Sequence, residues 1–348
     1  LFEKDSVFFI NRAIFIDEDQ ILSQRTCFMD YELDNAFSGM QFDGFRLTGK
    51  IGEGELGVVY SAVNSLGTVA ACKILKPEIA QAGSAVQQFV YEAKTASKLS
   101  HPNVVKAITA GHSLGYYYFL MEYVDGVSLE KLRRENPEIM TFDFVCDRFA
   151  ELADALGYAW KNHLVTHGDI KPENILIQRD PAVLKLADLG LARVALNTAS
   201  SRDVIMGTPL YIAPELVSGD ISKPTVKSDV YSFGVMFYEL ICGTPPFSGS
   251  VEEVLRAHIE DEPVPVREYN PSVSEELEGF IHSLISKNPD ARPDWGYISN
   301  YLRNRGSSPK KSSGKKTSTP AVRLVQKLII ILLSLFICAE IIYVFFFI

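Results

Sequence analysis

The residues predict an α+β chain, strand-rich between positions 45 and 123 and helical beyond, ending in a polar stretch and a long apolar run. Three observations carry this. The apolar stretches between 45 and 123 are short, rich in β-branched and aromatic residues and broken by glycine, as strands are. Later stretches, above all 142–163, place apolar residues at helical spacing. From Leu328 to Ile348, 21 residues carry a single charge, Glu340.

The chain has 348 residues, enough for two or three domains. Its five cysteines (27, 72, 146, 242, 338) are scattered and form no C-x-x-C or Cys/His cluster, so neither a disulfide framework nor a zinc site is supported. The net charge of −9 hides an asymmetry. Residues 303–327 hold eight basic residues and no acid, so the rest is more acidic than the total. An acidic body argues against nucleic acid as a partner.

Taken in order, residues 1–44 alternate short apolar runs with acids and stay open between strands and a helical lead-in. They are expected to be an extension packing on the folded region after residue 44, with the remnant of an upstream domain as the alternative. Phe45 to Ile51 reads as a strand, then Gly52-Glu53-Gly54-Glu55-Leu56-Gly57, then a second strand from Val58 to Val63. Thr68 to Leu75 is another strand and carries Lys73. Residues 84–99 have helical spacing at Val86, Phe89, Val90, Ala93, Ala96 and Leu99, with Glu92 among them. His101 to Val105 is a loop entering a strand, and Tyr116 to Tyr123 is a strongly apolar strand. Phe142 to His163 is a helix with one apolar stripe. Asp229 opens a further buried helix, and the folded region closes near Leu302.

The stretch that organises these elements is His167-Gly168-Asp169-Ile170-Lys171-Pro172-Glu173-Asn174, with Asp188-Leu189-Gly190 fourteen residues beyond Asn174. Phosphoryl transfer from ATP asks for such a set: a carboxylate for the attacking hydroxyl, a cation for the moving phosphoryl group, and an amide and a second carboxylate for Mg²⁺. With G-x-G-x-x-G-x-V at 52–59 and Ala71-Cys72-Lys73, all in order, the chain resembles the protein kinase family, whose loops read H-R-D-x-x-x-x-N and D-F-G. The glycine pattern alone is weak, because dinucleotide folds share it. There a helix comes next, and here a strand does.

The resemblance covers about 45–302. It implies a bilobal fold, with an antiparallel sheet and one helix in the N-lobe, a mainly helical C-lobe, and ATP in the cleft. It implies that Lys73 pairs with Glu92, Glu78 being the alternative, and that Asp169 is the base for the substrate hydroxyl. Lys171 would steady the phosphoryl group, Thr208 would help admit a hydroxyl substrate, and Asn174 and Asp188 would hold Mg²⁺. Nucleotide would rest on Ile51, Gly52, Gly54, Gly57, Val59, Ala71, Lys73, Met121, Leu176 and the hinge backbone at Glu122 and Val124. His167 would buttress the loop, Asp229 would anchor its backbone, and Arg292 would pair with Glu215. The small Ala96 suggests looser packing of the Glu92 helix. The D-x-K-P-x-N form is similar to Ser/Thr rather than Tyr kinases, so protein Ser/Thr hydroxyls are the expected acceptors. A pseudokinase or a docking scaffold is the alternative, and Gly168 is the one mark in its favour.

Residues 303–327 read as a flexible basic linker. At about 1.5 Å per residue, 328–348 reaches about 31 Å, enough to cross a bilayer core. The basic run before it predicts a single-pass membrane protein with its kinase domain in the cytoplasm and lipid contacts from the linker. Glu340 leaves a homodimer open. The arrangement is similar to membrane-anchored Ser/Thr kinases of bacteria, which usually carry an outer sensor after the span. A fragment and a sensor-less chain both stay open, since the sequence starts at Leu1 and stops at Ile348.

Two departures stand out, Gly168 for Arg and Leu189 for Phe. The Arg normally binds a phosphorylated activation segment, whose phosphate carries roughly −1.5 to −2 charges. With Gly168, ordering through that cation is unavailable. The expected outcome is that changing Thr198, Ser200 and Ser201 together to Ala leaves phosphotransfer within a few-fold of wild type; a collapse of turnover would reject this.

Overall fold

Alternation along one strand divides the first lobe into two faces. In β4 (Val69–Leu75), Ala70, Cys72 and Ile74 point one way, while Ala71, Lys73 and Leu75 point the other. β4 lies inside a six-stranded sheet with β1 (Gln41–Phe42), β2 (Phe45–Glu53), β3 (Gly57–Asn64), β5 (Ala107–Ser113) and β6 (Tyr116–Glu122), in the order β1-β2-β3-β4-β6-β5. All neighbours are antiparallel. This is a computed structural model, and it describes residues 36–54, 56–81, 83–180, 182–188, 209–221 and 223–304.

One face packs Leu47, Tyr60, Ala62, Cys72, Ile74 and Leu120 under Phe37 and Phe42. Phe37 meets the rings of Tyr60 and Tyr116 edge-on at 5.8 and 5.0 Å. Residues 36–44 therefore help close the core of this lobe. The other face packs Ala71, Leu75, Phe119 and Met121 against a helix. A single turn, α1 (Pro77–Ala80), leads into that helix, α2 (Gly83–Ala96). Phe89, Ala93 and Ala96 lie at i, i+4 and i+7 and fill the contact, which puts the buried Glu92 on the Lys73 side. The 84–99 expectation overran this helix. Residues 97–100 turn before Pro102, and Leu99 joins the core of the second lobe.

The second lobe begins with β7 (Gly126–Ser128), α3 (Leu129–Glu135) and α4 (Phe142–His163). The bounds of α4 coincide with the stretch read from sequence. Thr141 caps its start by accepting from the Phe144 N–H, and Leu164 ends it in the left-handed region at φ 54°. β8 (Ile175–Gln178) pairs with β7 and with β9 (Leu184–Leu186) in a small antiparallel sheet that carries the catalytic-type motifs. After a short turn α5 (Pro214–Val217) comes α6 (Val226–Cys242), opened by a capping box between Thr225 and Ser228. Asp229 lies in its first turn. α6 is buried nearly all round and forms the spine of the lobe. Phe149 of α4 packs against Phe233 and Phe237 at 4.9 Å. α7 (Val251–Glu260), α8 (Val266–Tyr269), α9 (Glu275–Leu284) and α10 (Trp295–Asn304) surround it.

The chain divides into two compact units, Leu1–Arg303 and Asn304–Ile348, and of the second only Asn304 is described. Among the described residues no helix is long and apolar enough to cross a membrane. The run Leu328–Ile348, the linker from 305 onward and residues 1–35 lie outside the described residues.

Arg292 is fully buried and makes a two-pronged bond to Glu215, Nη1 to Oε1 at 2.7 Å and Nη2 to Oε2 at 2.8 Å. Its remaining N–H groups reach the carbonyls of Ser286, Lys227 and Lys287. Removing one partner strands a buried charge. Arg292→Met is expected to lower unfolding free energy by about 3–5 kcal/mol. The exposed Arg134→Met should stay within about 0.5 kcal/mol. Equal denaturation midpoints for the two would overturn this reading.

Candidate active site

Lys73 lies on the cleft-facing side of β4, 3% exposed, and holds two carboxylates at once. Its Nζ lies 3.0 Å from Glu92 Oε1 on α2 and 2.8 Å from Asp188 Oδ1 just after β9. Burial works against the Lys73 charge, but Asp188 and Glu92 outweigh it and hold its pKa above the usual range. Burial pushes Glu92 up to about 7, with Lys73 opposing and Asp188 adding to the rise. Asp188 stays below the usual carboxylate range, because Lys73 overcomes its burial. The predicted Lys73–Glu92 pair is thus present, and Glu78 is not its partner. Asp188 adopts φ 54°, a strained backbone for a residue with a side chain.

Three further side chains meet on the catalytic-type loop. Lys171 Nζ lies 2.8 Å from Asp169 Oδ2. Asn174 Nδ2 donates to Asp169 Oδ2 at 2.9 Å and to the Asp169 carbonyl at 2.7 Å. With its nitrogen so engaged, Asn174 leaves its amide oxygen free to accept. That oxygen and the Asp188 carboxylate are the hard donors that suit Mg²⁺, so the residues fit the ion. Among the described residues no group of three or more His, Cys, Asp or Glu forms a further metal site.

The loop is held from below. Asp229 on α6 accepts the backbone N–H groups of His167 and Gly168, both at 2.7 Å. Burial pushes its carboxyl up to about 6 against the pull of these bonds. His167 is buried, with Nε2 3.0 Å from the Ala187 carbonyl and Nδ1 accepting from the Asp169 N–H at 3.2 Å. Through these two contacts His167 joins the loop to the strand end that presents Asp188. Gly168 has φ 75°, where a side chain would be strained.

Above the cleft, β2 and β3 form the glycine flap, closed by Gly54 N–H to the Gly57 carbonyl at 2.8 Å. A Cβ on Gly57 would stand 2.6 Å from the Ile74 carbonyl and 3.4 Å from Lys73 Cγ. Gly57 is what lets the flap lie against the strand that carries Lys73. Val59, Ala71, Met121, Val124 and Leu176, all predicted to line a nucleotide, share one apolar cluster. Leu56 and Ala187 belong to it too and were not anticipated. Ile51 is 48% exposed and outside the cluster. A Cβ on Gly52 or Gly54 would meet nothing nearer than 3.9 Å. The Glu122 side chain reaches Lys185 of β9 at 2.6 Å and the Lys106 N–H at 3.1 Å, a strut across the hinge that was also missed. Only the 63-residue separation hides it; opposite charges at the two positions are the sole trace in the sequence. Thr208 and Leu189 lie outside the described residues.

The protein kinase domain family matches residues 45–301. The fold is that of the PknI kinase domain of Mycobacterium tuberculosis, with a TM-score of 0.62 at 23% identity, covering 77% of this chain and 98% of that one. The chain is 33% identical over 251 residues to the probable serine/threonine-protein kinase CA_C1728 of Clostridium acetobutylicum, covering 71% of this chain and 37% of the relative. It is 32% identical to serine/threonine-protein kinase PrkC of Bacillus subtilis, covering 71% and 39%. For PknB of Mycobacterium tuberculosis the identity is 33%, with 64% and 36% covered. The chain thus spans less than two-fifths of the length of these relatives. The match through 45–301 takes in most of the chain, which belongs to the protein kinase family.

Proposed function

We propose that the chain is a protein kinase that moves the terminal phosphoryl group of ATP to Ser and Thr hydroxyls of proteins, itself included, while tethered to a membrane. The observation that supports this best is the closed Lys73–Glu92–Asp188 group beside the Asp169–Lys171–Asn174 cluster. A binding module has no need of such unfavourable burial of charge.

Asp169 orients the acceptor hydroxyl and takes its proton. Lys171 steadies the charge on the group in flight, and burial against it is outweighed by Asp169, which keeps it cationic. Lys73, fixed by Glu92, holds the nucleotide's phosphates, and Gly52, Gly54 and Gly57 let the flap backbone lie close above them. Mg²⁺, when bound, neutralises phosphate charge, with Asn174 and Asp188 the residues that would hold it. Val59, Ala71, Met121 and Leu176 exclude water around the base, Ile51 shields the rim, and the backbones of Glu122 and Val124 fix its edge. Thr208 aids admission of a hydroxyl acceptor.

The same reading takes 45–302 as the kinase domain, 303–327 as a basic juxtamembrane linker and 328–348 as the span, with the domain on the cytoplasmic side. What supports the tether is the apolar run of 21 residues behind eight basic ones.

Purified protein with ATP and Mg²⁺ is expected to label itself or a Ser/Thr peptide. Asp169→Ala should lower that rate by about 10²–10⁴-fold. Folded wild type that labels nothing would leave only nucleotide binding or docking. Separately, deleting 328–348 should move the protein from the membrane pellet to the supernatant; an unchanged distribution would remove the tether.

A further inference from the structure

Lys76 stands between β4 and α1, three residues beyond Lys73, and belongs to neither charge cluster of the site. Its Nζ lies 2.5 Å from Oε1 of Glu53, the last residue of β2. Its backbone N–H donates to the Leu56 carbonyl at 3.0 Å, just before β3. One residue thus takes hold of the glycine flap by both of its arms. Glu53 is the residue between Gly52 and Gly54, where the flap begins.

The two arms differ in how they are supported. On the β3 side Gly57 lies hard against β4, where a Cβ would stand 2.6 Å from the Ile74 carbonyl. Leu56 packs against the apolar cluster beneath it. On the β2 side the backbone has little to rest on. A Cβ on Gly52 or Gly54 would meet nothing nearer than 3.9 Å, and glycine itself leaves the chain free to move. The β2–β3 register also shifts between Lys50 and Gly52, which disrupts the ladder where the flap starts. The Glu53–Lys76 pair ties this looser arm to the end of the strand that carries Lys73.

Glu53 has a second cation, Lys50, whose Nζ lies 3.0 Å from Oε2. Lys76 and then Lys50 hold the Glu53 carboxyl below the usual carboxylate range. Lys50 is on β2 itself, so its bond to Glu53 joins no second element. The side chains of Glu53 and Lys76 are partly exposed, and a pair in such a setting is modest in strength. A glycine-rich arm with few packing contacts needs no more than that to be biased toward one position.

We propose that Lys76 is a positioning residue: through Glu53 it fixes the β2 arm of the flap against the end of β4, and so sets how closely the flap covers a nucleotide's phosphates. This deepens the kinase reading and rests on it. Lys76 acts through Glu53 and the flap backbone.

The test measures binding of the non-hydrolysable ATP analogue AMP-PNP with Mg²⁺ to the full chain by calorimetry, which needs no turnover. Lys76→Met and Glu53→Gln should each weaken binding about fourfold, and the double variant should be no weaker than either. Lys76→Arg, which can remake the pair, should stay within about 1.5-fold of wild type. Lys50→Met takes the same charge from the same carboxylate without freeing the arm, and should also stay within about 1.5-fold. Amide exchange at Gly54 should quicken in Lys76→Met and not in Lys50→Met. Wild-type affinity and exchange in Lys76→Met would overturn the proposal. Equal weakening by Lys50→Met and Lys76→Met, or additive losses in the double variant, would overturn it too. If wild type binds no nucleotide, the kinase reading falls, and the exchange comparison still decides whether Lys76 holds the flap.

Discussion

One ammonium group shared by two carboxylates ties this protein together. Lys73, Glu92 and Asp188 come from a strand, a helix and the end of a second-lobe sheet; Lys73 and Glu92 are buried, and Asp188 closes the group from a partly exposed position. Charges at such distances attract by several kcal/mol where the medium is less polarisable than water, at about 4 kcal/mol for an effective dielectric of 20. Each charge is costly to bury alone. The arrangement therefore holds only when the sheet, α2 and β9 are all in place, and it reports on the relative position of the two lobes. The Glu122–Lys185 strut acts in the same sense from behind, between hinge and β9.

A second constraint lies below the cleft. α6 is buried on nearly every side, and it directs its polar side chains to backbone and neighbouring polar groups. Asp229 takes two N–H groups of the catalytic loop, Ser232 and Glu239 fix Tyr211, and Tyr231 meets His258. A buried helix that uses its polar groups this way converts irregular loops into rigid ones, because each loop atom it binds has no competing water. The loop on which Asp169 sits is thus held from beneath by α6.

Much of this was legible in the chain. Phosphoryl chemistry demands fixed residue types, so Lys73, Asp169, Lys171, Asn174 and Asp188 announce themselves by type and order. The alternation in β4 tells which face Lys73 shares with α2, and the stripe in 142–163 gives a helix whose ends the structure repeats. What was hidden is what tertiary folding alone creates. Lys73 and Asp188 are 115 residues apart, and nothing local couples them. The Tyr231–His258 contact joins two helices through a hydroxyl and a ring nitrogen 27 residues apart. β5 was read only as a strand entered after His101–Val105; it is short, has no fully buried residue, and ends at the turn of Leu114 and Gly115.

The left-handed backbone at Gly168 carries a last consequence. Any side chain there must hold φ near 75°, at about 1–2 kcal/mol, and must gain at least that much from what it binds. Glycine gives up the gain and avoids the strain. Every glycine codon lies a single base from an arginine codon, so the two solutions are neighbours in mutational space. A lineage with this loop can cross between them in one step, and the backbone that Asp229 grips needs no redrawing when it does.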